Sequence, residues 1–322
     1  MYQKKKNILY EVNNYEYSKI ISKLLDEYDK DEMFLITPIS ETAGFFVQNN
    51  RLLFVEFDNK GDNSEGIETQ YLNLQMHIKI KAVKNHQLFK SGYYNYILCK
   101  SMENNDLRTF IRLCELYACN NDRIPFKTFF YSLISLFQLP IEQSYMNSLG
   151  LYGELKLILD IWNEYNIDLS PRWHIYGSFS KYDFSNGKVG LEVKTTSTLH
   201  KEITVKHDQI FDNGNCILVT IFCEENECGE SLEQLVEEIR EKKSVFRNIN
   251  FAINLEKEIR RVSPRDYTES FFCVKERKLF KTEEINPFMN IPDNVHRLSY
   301  QLEIDDELKM CDEKKVFEDF NK

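Results

Sequence analysis

"KVGLEVKTTST", residues 188–198, is an apolar run that carries an acid at Glu192, a lysine at Lys194 and a row of hydroxyls after them. Strand alternation puts residues two apart on one side. Glu192 and Lys194 therefore share a face, while Leu191 and Val193 share the other. Two opposite charges on a strand with apolar flanks read either as a plain salt-bridged pair or as half of a metal-dependent active site. The tripeptide alone does not decide, because acid-x-Lys recurs at Asp58/Lys60, Glu154/Lys156, Glu241/Lys243, Glu276/Lys278 and Glu307/Lys309. Glu154/Lys156 and Glu241/Lys243 lie in helical patterns, where residues two apart do not face each other. Asp58/Lys60 runs into the turn "GDN".

Glu192/Lys194 stands out by its companions. Asp183 closes "SKYDF" nine residues upstream, across the turn "SNGK". That is hairpin spacing, which predicts the two acids on neighbouring strands. Glu154 follows Gly153 on the preceding helical stretch and can point toward the sheet, and Thr195 and Thr196 continue the strand beyond the lysine. Hydrolysis of a phosphodiester assisted by a divalent cation calls for such a set. Mg2+ prefers oxygen ligands in near-octahedral geometry, and it offsets charge on the phosphoryl group. A lysine beside the attacking water can orient it or meet the developing charge.

Around this block the chain organises into an α+β pattern. "EYSKIISKLLDEYDK" at 16–30 has helical spacing, and "EMFLITPIS", "GFFVQNN" and "RLLFVEFD" are short β-like runs. A turn is expected at "NKGDNSEG". "TQYLNLQMHIKIKAVKN" then alternates apolar and polar residues, as a half-exposed strand does, and "YYNYILCKS" closes the block. Residues 1–102 read as an antiparallel β-rich domain and 103–143 as a helical connector, with Pro125 and Pro140 punctuating its second helix. Residues 144–228 read as an α/β core: the helix "SLGLYGELKLILDIWNEYN", a loop into strand at "RWHIYGSFSKYDFS", the Glu192 strand, "HKEITVK", the short helical "HDQI" and the buried strand "CILVTIFC". Residues 229–322 read as an extension packed on that core, opening on a Ser231-capped helix. Its "ESFFCVKERKLFKT" and "NVHRLSYQLEI" read as flanking strands, and "DEKKVFEDFNK" as an exposed tail or a docking helix.

Composition bounds the rest. Hydrophobic residues make up 42% and charged residues 29%, with 23 Phe, 18 Tyr, 11 Gly and 7 Pro, which predicts a folded chain throughout. The eight cysteines stand singly with no CxxC pair, so neither a zinc site nor a disulfide framework is expected. "MYQKKKNILY" lacks the apolar run of a leader, and no stretch approaches a membrane span, so the expectation is a cytoplasmic chain. The net charge of -10 excludes indiscriminate coating of nucleic acid. It leaves room for a local grip. Lys181, Lys188, Lys201 and Lys206, with Arg172, His200 and His207, ring the Glu192 strand, and "KERKLFK" at 275–281 could extend the track. The same lysines also fit a solvated strand edge. His174, His200 and His207 read as surface or DNA-facing residues rather than ligands, and Trp173 as core rather than a base-stacking platform.

"GLYGEL", "YDF" and "GLEVKTT" together resemble the PD-(D/E)xK nuclease superfamily, and within it a bacterial branch encoded near restriction and phage-defence genes. The resemblance is specific over about residues 148–222. It implies a restriction-endonuclease-like core with a mixed sheet flanked by helices. It implies Asp183 and Glu192 as metal ligands, the Val193 carbonyl as a further ligand, Lys194 as the catalytic lysine and Glu154 as the helix acid that completes the site. Mg2+ is the implied cofactor, with Mn2+ as a substitute. Thr195, Thr196, Lys201, Lys206 and Gln209 are the candidate substrate contacts. Tyr182 stands where the motif has proline. The expected activity is a metal-dependent DNA endonuclease, the nuclease subunit of a restriction or anti-phage system. Its expected partners are DNA, other subunits of a defence complex and a second copy of the chain, with no membrane. The alternative is a non-catalytic DNA- or protein-binding subunit on a nuclease-like scaffold.

Overall fold

The computed structural model describes residues 14–24, 33–58, 63–80, 92–120, 123–138, 148–174, 181–197, 201–210, 215–242, 245–285, 298–304 and 309–322. Pro140 and His200 lie outside them. By internal packing the chain divides into two compact units, 1–140 and 141–322.

The first unit begins with α1 (Asn14–Leu24) and continues through β1 (Phe34–Pro38), β2 (Ala43–Gln48), β3 (Arg51–Asp58), β4 (Glu65–Glu68), β5 (Leu72–Ile80) and β6 (Gly92–Cys99). Among the described residues these strands form one antiparallel sheet in the order β1-β2-β3-β6-β5-β4. Asn49 and Asn50, both at positive φ, make the two-residue link between β2 and β3, the conformation that favours asparagine in tight hairpins. The "NKGDNSEG" stretch differs from expectation. Its end starts β4, an exposed edge strand whose polar residues give no alternation to read. Helices α2 (Asn104–Cys119) and α3 (Phe126–Phe137) belong to this unit. Phe126 stacks on Phe54 of β3 at 6.0 Å, and Phe129 stacks on Tyr117 of α2 at 4.3 Å.

The second unit starts with α4 (Ser148–Tyr165) and a 3-10 turn at Ser170–Arg172. It continues through β7 (Phe184–Ser185), β8 (Gly190–Thr196), β9 (Glu202–Lys206), α5 (His207–Ile210), β10 (Cys216–Ser231), α6 (Leu232–Glu241), α7 (Ile249–Arg260), α8 (Pro264–Glu269), β11 (Phe271–Lys281), β12 (Ser299–Glu303) and α9 (Glu313–Phe320). Its sheet runs β11-β10-β8-β7 and is mixed, with β8 parallel to β10 and antiparallel to β7. β9 and β12 pair apart from it as a ribbon.

The 3.6-residue spacing of α4 lays Leu151, Leu155 and Ile158 against Leu191 and Val193 of β8 and Val219 and Ile221 of β10. The opposite face of the sheet, with Leu218, Phe222 and Phe280, packs on Ile203, Val205 and Ile210. Ser231 caps α6 in a reciprocal box with Gln234. The charged tail folds as a docking helix: Phe317 and Phe320 of α9 are buried, each stabilising the unit by about 2 kcal/mol.

Candidate active site

β8 lies between these two layers, and its backbone alternates edges as well as faces. The Gly190 N–H donates toward the β10 side, to Asn215 O at 2.8 Å, while the Val193 N–H donates the other way, to Asp183 Oδ2 at 2.7 Å. A strand residue sends its N–H and C=O to the same edge. The Val193 carbonyl therefore faces the Asp183 side, where β7 is only two residues long and covers Gly190 and Leu191 alone. Among the described residues no strand pairs with the rest of that edge, and one acid already lies against it.

The turn that brings Asp183 there is set locally. Asn186 Oδ1 accepts the N–H groups of Lys188 at 2.9 Å and Val189 at 2.8 Å, and Gly187 supplies φ +85°. The Tyr182 ring occupies the space a Cβ on Gly190 would fill, within 2.0 Å of it, so the residue that replaces proline packs the hairpin onto β8. Gln209 of α5 ties the same loop from the other side, Nε2 donating to Lys181 O at 3.1 Å. Asn186 Nδ2 donates to Phe320 O at 2.9 Å, so α9 braces the turn.

Glu154 comes from the α4 side. A Cβ on Gly153 would meet Thr195 Oγ1 at 1.8 Å, so only glycine lets α4 approach β8 this closely at that point. The next residue, Glu154, is 9% exposed. Its Oε2 accepts the Trp173 indole N–H at 2.7 Å and lies 2.9 Å from His174 Nε2. Donor atoms of Glu154, His174 and Asp183 all fall within 4.8 Å of one another. Trp173 is core, as expected, and also a donor into the site. His174 is the residue the spacing missed. Its single-residue signal, a histidine beside a core tryptophan, carries no periodicity, although it precedes Asp183 by only nine residues.

Glu192 stands beside this close set, on the other face of β8. Lys194 Nζ donates to its Oε1 at 2.5 Å, so the two do share a face. Glu192 is 2% exposed, and its Oε2 is buried with no hydrogen-bond partner among the described residues. Burial raises the Glu192 carboxyl, Lys194 opposes that, and Glu154 adds to it, leaving it above the ordinary glutamate value. Asp183 is pushed well above its usual range, first by burial and then by the charges of Glu154 and Glu192. Burial disfavours the charged His174 ring, but the hydrogen bond to Glu154 together with the charges of Glu154, Glu258 and Asp183 outweighs that and raises it. Three carboxylates that repel one another, one holding a buried oxygen without a donor, are a set that a divalent cation suits. Asp183, Glu154 and Glu192, with the Val193 carbonyl, would hold it.

The remaining candidates fall in different places. Thr195 packs its hydroxyl against Gly153, and Thr196 is buried. Lys206 is exposed on β9 and its charge acts on Glu192. Lys201 donates to Glu276 Oε2 at 2.6 Å, and His207 Nδ1 lies 3.2 Å from the Tyr300 hydroxyl. Three of the four cations in 275–281 are ion-paired within the unit rather than laid out as a free basic track. Lys275 pairs with Glu224, Arg277 with Asp160, Glu164 and Glu313, and buried Lys278 with Glu276.

Residues 134–305 match the model of a family described as "Putative PD-(D/E)XK family member, (DUF4420)". The chain belongs to this family. The match spans α4, β7, β8, α5 and β10, so every residue that the PD-(D/E)XK resemblance singled out lies within it. PD-(D/E)XK nucleases generally use divalent metals, in keeping with the acidic and histidine cluster beside β8. No curated protein and no solved structure matches the chain. Among the described residues no helix is long and apolar enough to cross a membrane.

Proposed function

We propose that this PD-(D/E)XK chain is a divalent-metal-dependent DNA endonuclease, the nuclease component of a bacterial restriction or anti-phage system. The observation that carries the reading is Glu192. It is buried on β8, holds Lys194 by one oxygen, leaves the other without a hydrogen-bond partner among the described residues, and its charge acts together with that of Glu154 on Asp183. A structural ion pair has no use for the second carboxylate oxygen or for two further acids.

When bound, Mg2+ or Mn2+ offsets charge on the scissile phosphate and makes an adjacent water more acidic. The chain's own residues do the rest. Asp183 is fixed by the Val193 N–H, so its second oxygen is held in one direction. Lys194, anchored by Glu192, lies where an ammonium can orient the attacking water and meet the negative charge that builds on phosphorus. One P–O bond forms to the water oxygen as its proton passes to solvent, and the P–O bond to the leaving nucleoside breaks as that oxygen takes a proton from solvent water. Lys206 and the neighbouring Lys181 and Lys188 supply phosphate contacts, which position a duplex without reading its sequence.

A second reading has one observation in its favour. Three of the four 275–281 cations are ion-paired internally and the chain is acidic, so DNA grip falls to a few lysines or to a partner subunit. On that reading the chain is a binding subunit of a defence complex on a nuclease-like scaffold. A cytoplasmic setting and a homodimer that cuts both strands belong to the nuclease reading. Plasmid and linear DNA incubated with Mg2+, Mn2+ or chelator separates the two. The parent should cut with metal only, and Lys194→Ala should lose at least about a hundredfold in rate while keeping the parent's circular dichroism. Full activity in that variant ends the assignment of Lys194.

A further inference from the structure

We propose that His174 is a cation ligand beside Glu154 and Asp183, and that its ring nitrogen tilts the site toward a divalent transition ion over Mg2+. The inference rests on the metal-dependent reading of the site for its meaning, while the binding it describes is measurable without any cleavage.

Three observations converge on this residue. The first is spacing. Two donors bound side by side on an octahedral ion with bonds of roughly 2.1 Å sit about 3.0 Å apart, and opposite donors about 4.2 Å. His174 Nε2 and Glu154 Oε2 are 2.9 Å apart, and the Asp183 donor lies within 4.8 Å of both. On binding, the proton shared between Nε2 and Oε2 passes to solvent and the ion takes its place.

The second is the backbone. His174 has φ +44°, in the left-handed region that few non-glycine residues adopt. Both of its peptide groups are pinned there. Its N–H donates to Asp183 O at 3.0 Å, and its carbonyl accepts from Asn254 Nδ2 at 2.9 Å. Asn254, on α7, is itself buried. A strained residue held at both ends, between the Asp183 hairpin and a second helix, is held for the sake of where its side chain points. The Trp173 ring stands edge-on to the imidazole, with centroids 4.6 Å apart, and narrows its orientation further.

The third is the neighbour. Glu192 Oε2, buried and without a hydrogen-bond partner among the described residues, is a further oxygen on a carboxylate whose charge acts on Asp183. The ion would thus meet carboxylates and one imidazole. Mg2+ takes oxygen ligands almost exclusively, whereas an imidazole suits transition ions.

The test uses the full chain without DNA and Mn2+ as the probe, read by electron paramagnetic resonance. The parent should bind Mn2+, with Mg2+ needing an excess of about tenfold or more to displace it. Pulsed spectra of bound Mn2+ should show a directly bound imidazole nitrogen. In His174→Asn, which tolerates positive φ and offers oxygen instead, the nitrogen signal should vanish and the Mn2+ preference should fall by about tenfold. Lys194→Ala should keep both. Bound Mn2+ with no nitrogen signal in the parent, equal competition by Mg2+, or no Mn2+ binding overturns the proposal. The parent spectra decide even where the variant fails to fold. A protein that shows the nitrogen signal yet cuts no DNA leaves His174 as a ligand and removes only the nuclease reading.

Discussion

Replacing Asp183 by asparagine is expected to make the metal-free protein more stable and to abolish its stabilisation by divalent cations. The Asp183 carboxyl is raised well above its usual range, by burial and then by Glu154 and Glu192. Donor oxygens of Asp183 and Glu154 lie within 4.8 Å of each other. At an effective dielectric of about 20, two unit charges at that distance repel by about 3.5 kcal/mol. Asparagine keeps an oxygen for the Val193 N–H, now 2.7 Å from Oδ2, and gives up about 1 kcal/mol because the acceptor is no longer charged. The net gain is about 1–3 kcal/mol, or a rise in Tm of about 2–10 °C for a unit of this size.

The sign with pH follows from proton counting. The folded state holds a proton on Asp183 that the unfolded chain has already released, so over that window the folded state binds more protons. Stability then falls as pH climbs from the ordinary carboxylate range, near about pH 4, through the raised value. The advantage of Asp183→Asn should therefore be larger at neutral pH than in acid, where it is gone. Calorimetry in chelator at both pH values, then with Mn2+ added, reads all of this. A variant that melts below the parent in neutral chelator, or that keeps the parent's cation-induced rise in Tm, refutes the reasoning.

Gly153→Ala should cost about 1–3 kcal/mol in urea unfolding through its overlap with Thr195, and adding Thr195→Ala should recover part of it. Trp173→Phe keeps the core ring but removes the donor to Glu154, and should cost about 1–3 kcal/mol by the same measurement. Arg277→Ala removes the cation shared by Asp160, Glu164 and Glu313, leaving Lys156 to Asp160 and the Tyr165 hydroxyl to Glu313. It should lower stability by about 2 kcal/mol, the loss being larger at low ionic strength.

What could be read from the sequence follows the physics of each signal. Strands and helices with one buried face announced themselves by period, so β2, β3, α3, α4 and β8 lie where spacing put them. The Asp183 hairpin was legible because turn chemistry is local: Asn186 and Gly187 make it within four residues. β4 was not, because an exposed edge strand has no apolar face. Nor was the length of β10, whose acidic second half pairs with β11 only through tertiary contact. The stretch 244–268 had no assignment. It folds as α7 and α8, capped by Asn248 and Ser263, and α7 carries Asn254, which holds His174. His174 itself reaches Glu154 across 20 residues of chain, a contact that no local rule encodes.

The chain carries its own control for the motif. Glu276 and Lys278 repeat the Glu192/Lys194 spacing on β11, and they too share a face, 3.1 Å apart. There the resemblance ends. β11 is the edge strand, Glu276 is 37% exposed on its side chain, and its carboxyl is lowered, chiefly by the hydrogen bond from Lys201. Both of its oxygens have cations: Lys201 on one and Lys278 on the other. Glu192 holds one hydrogen-bonded cation, Lys194, for two oxygens, with Lys206 acting only through its charge; it is 2% exposed and its carboxyl is raised. The same tripeptide is thus satisfied in one place and left short of positive charge in the other. An acid buried with so little counter-charge is costly to keep, and Glu192 carries that cost while its charge also acts on Asp183. Spacing is common to both pairs, so the deficit of positive charge is what separates a site from a salt bridge.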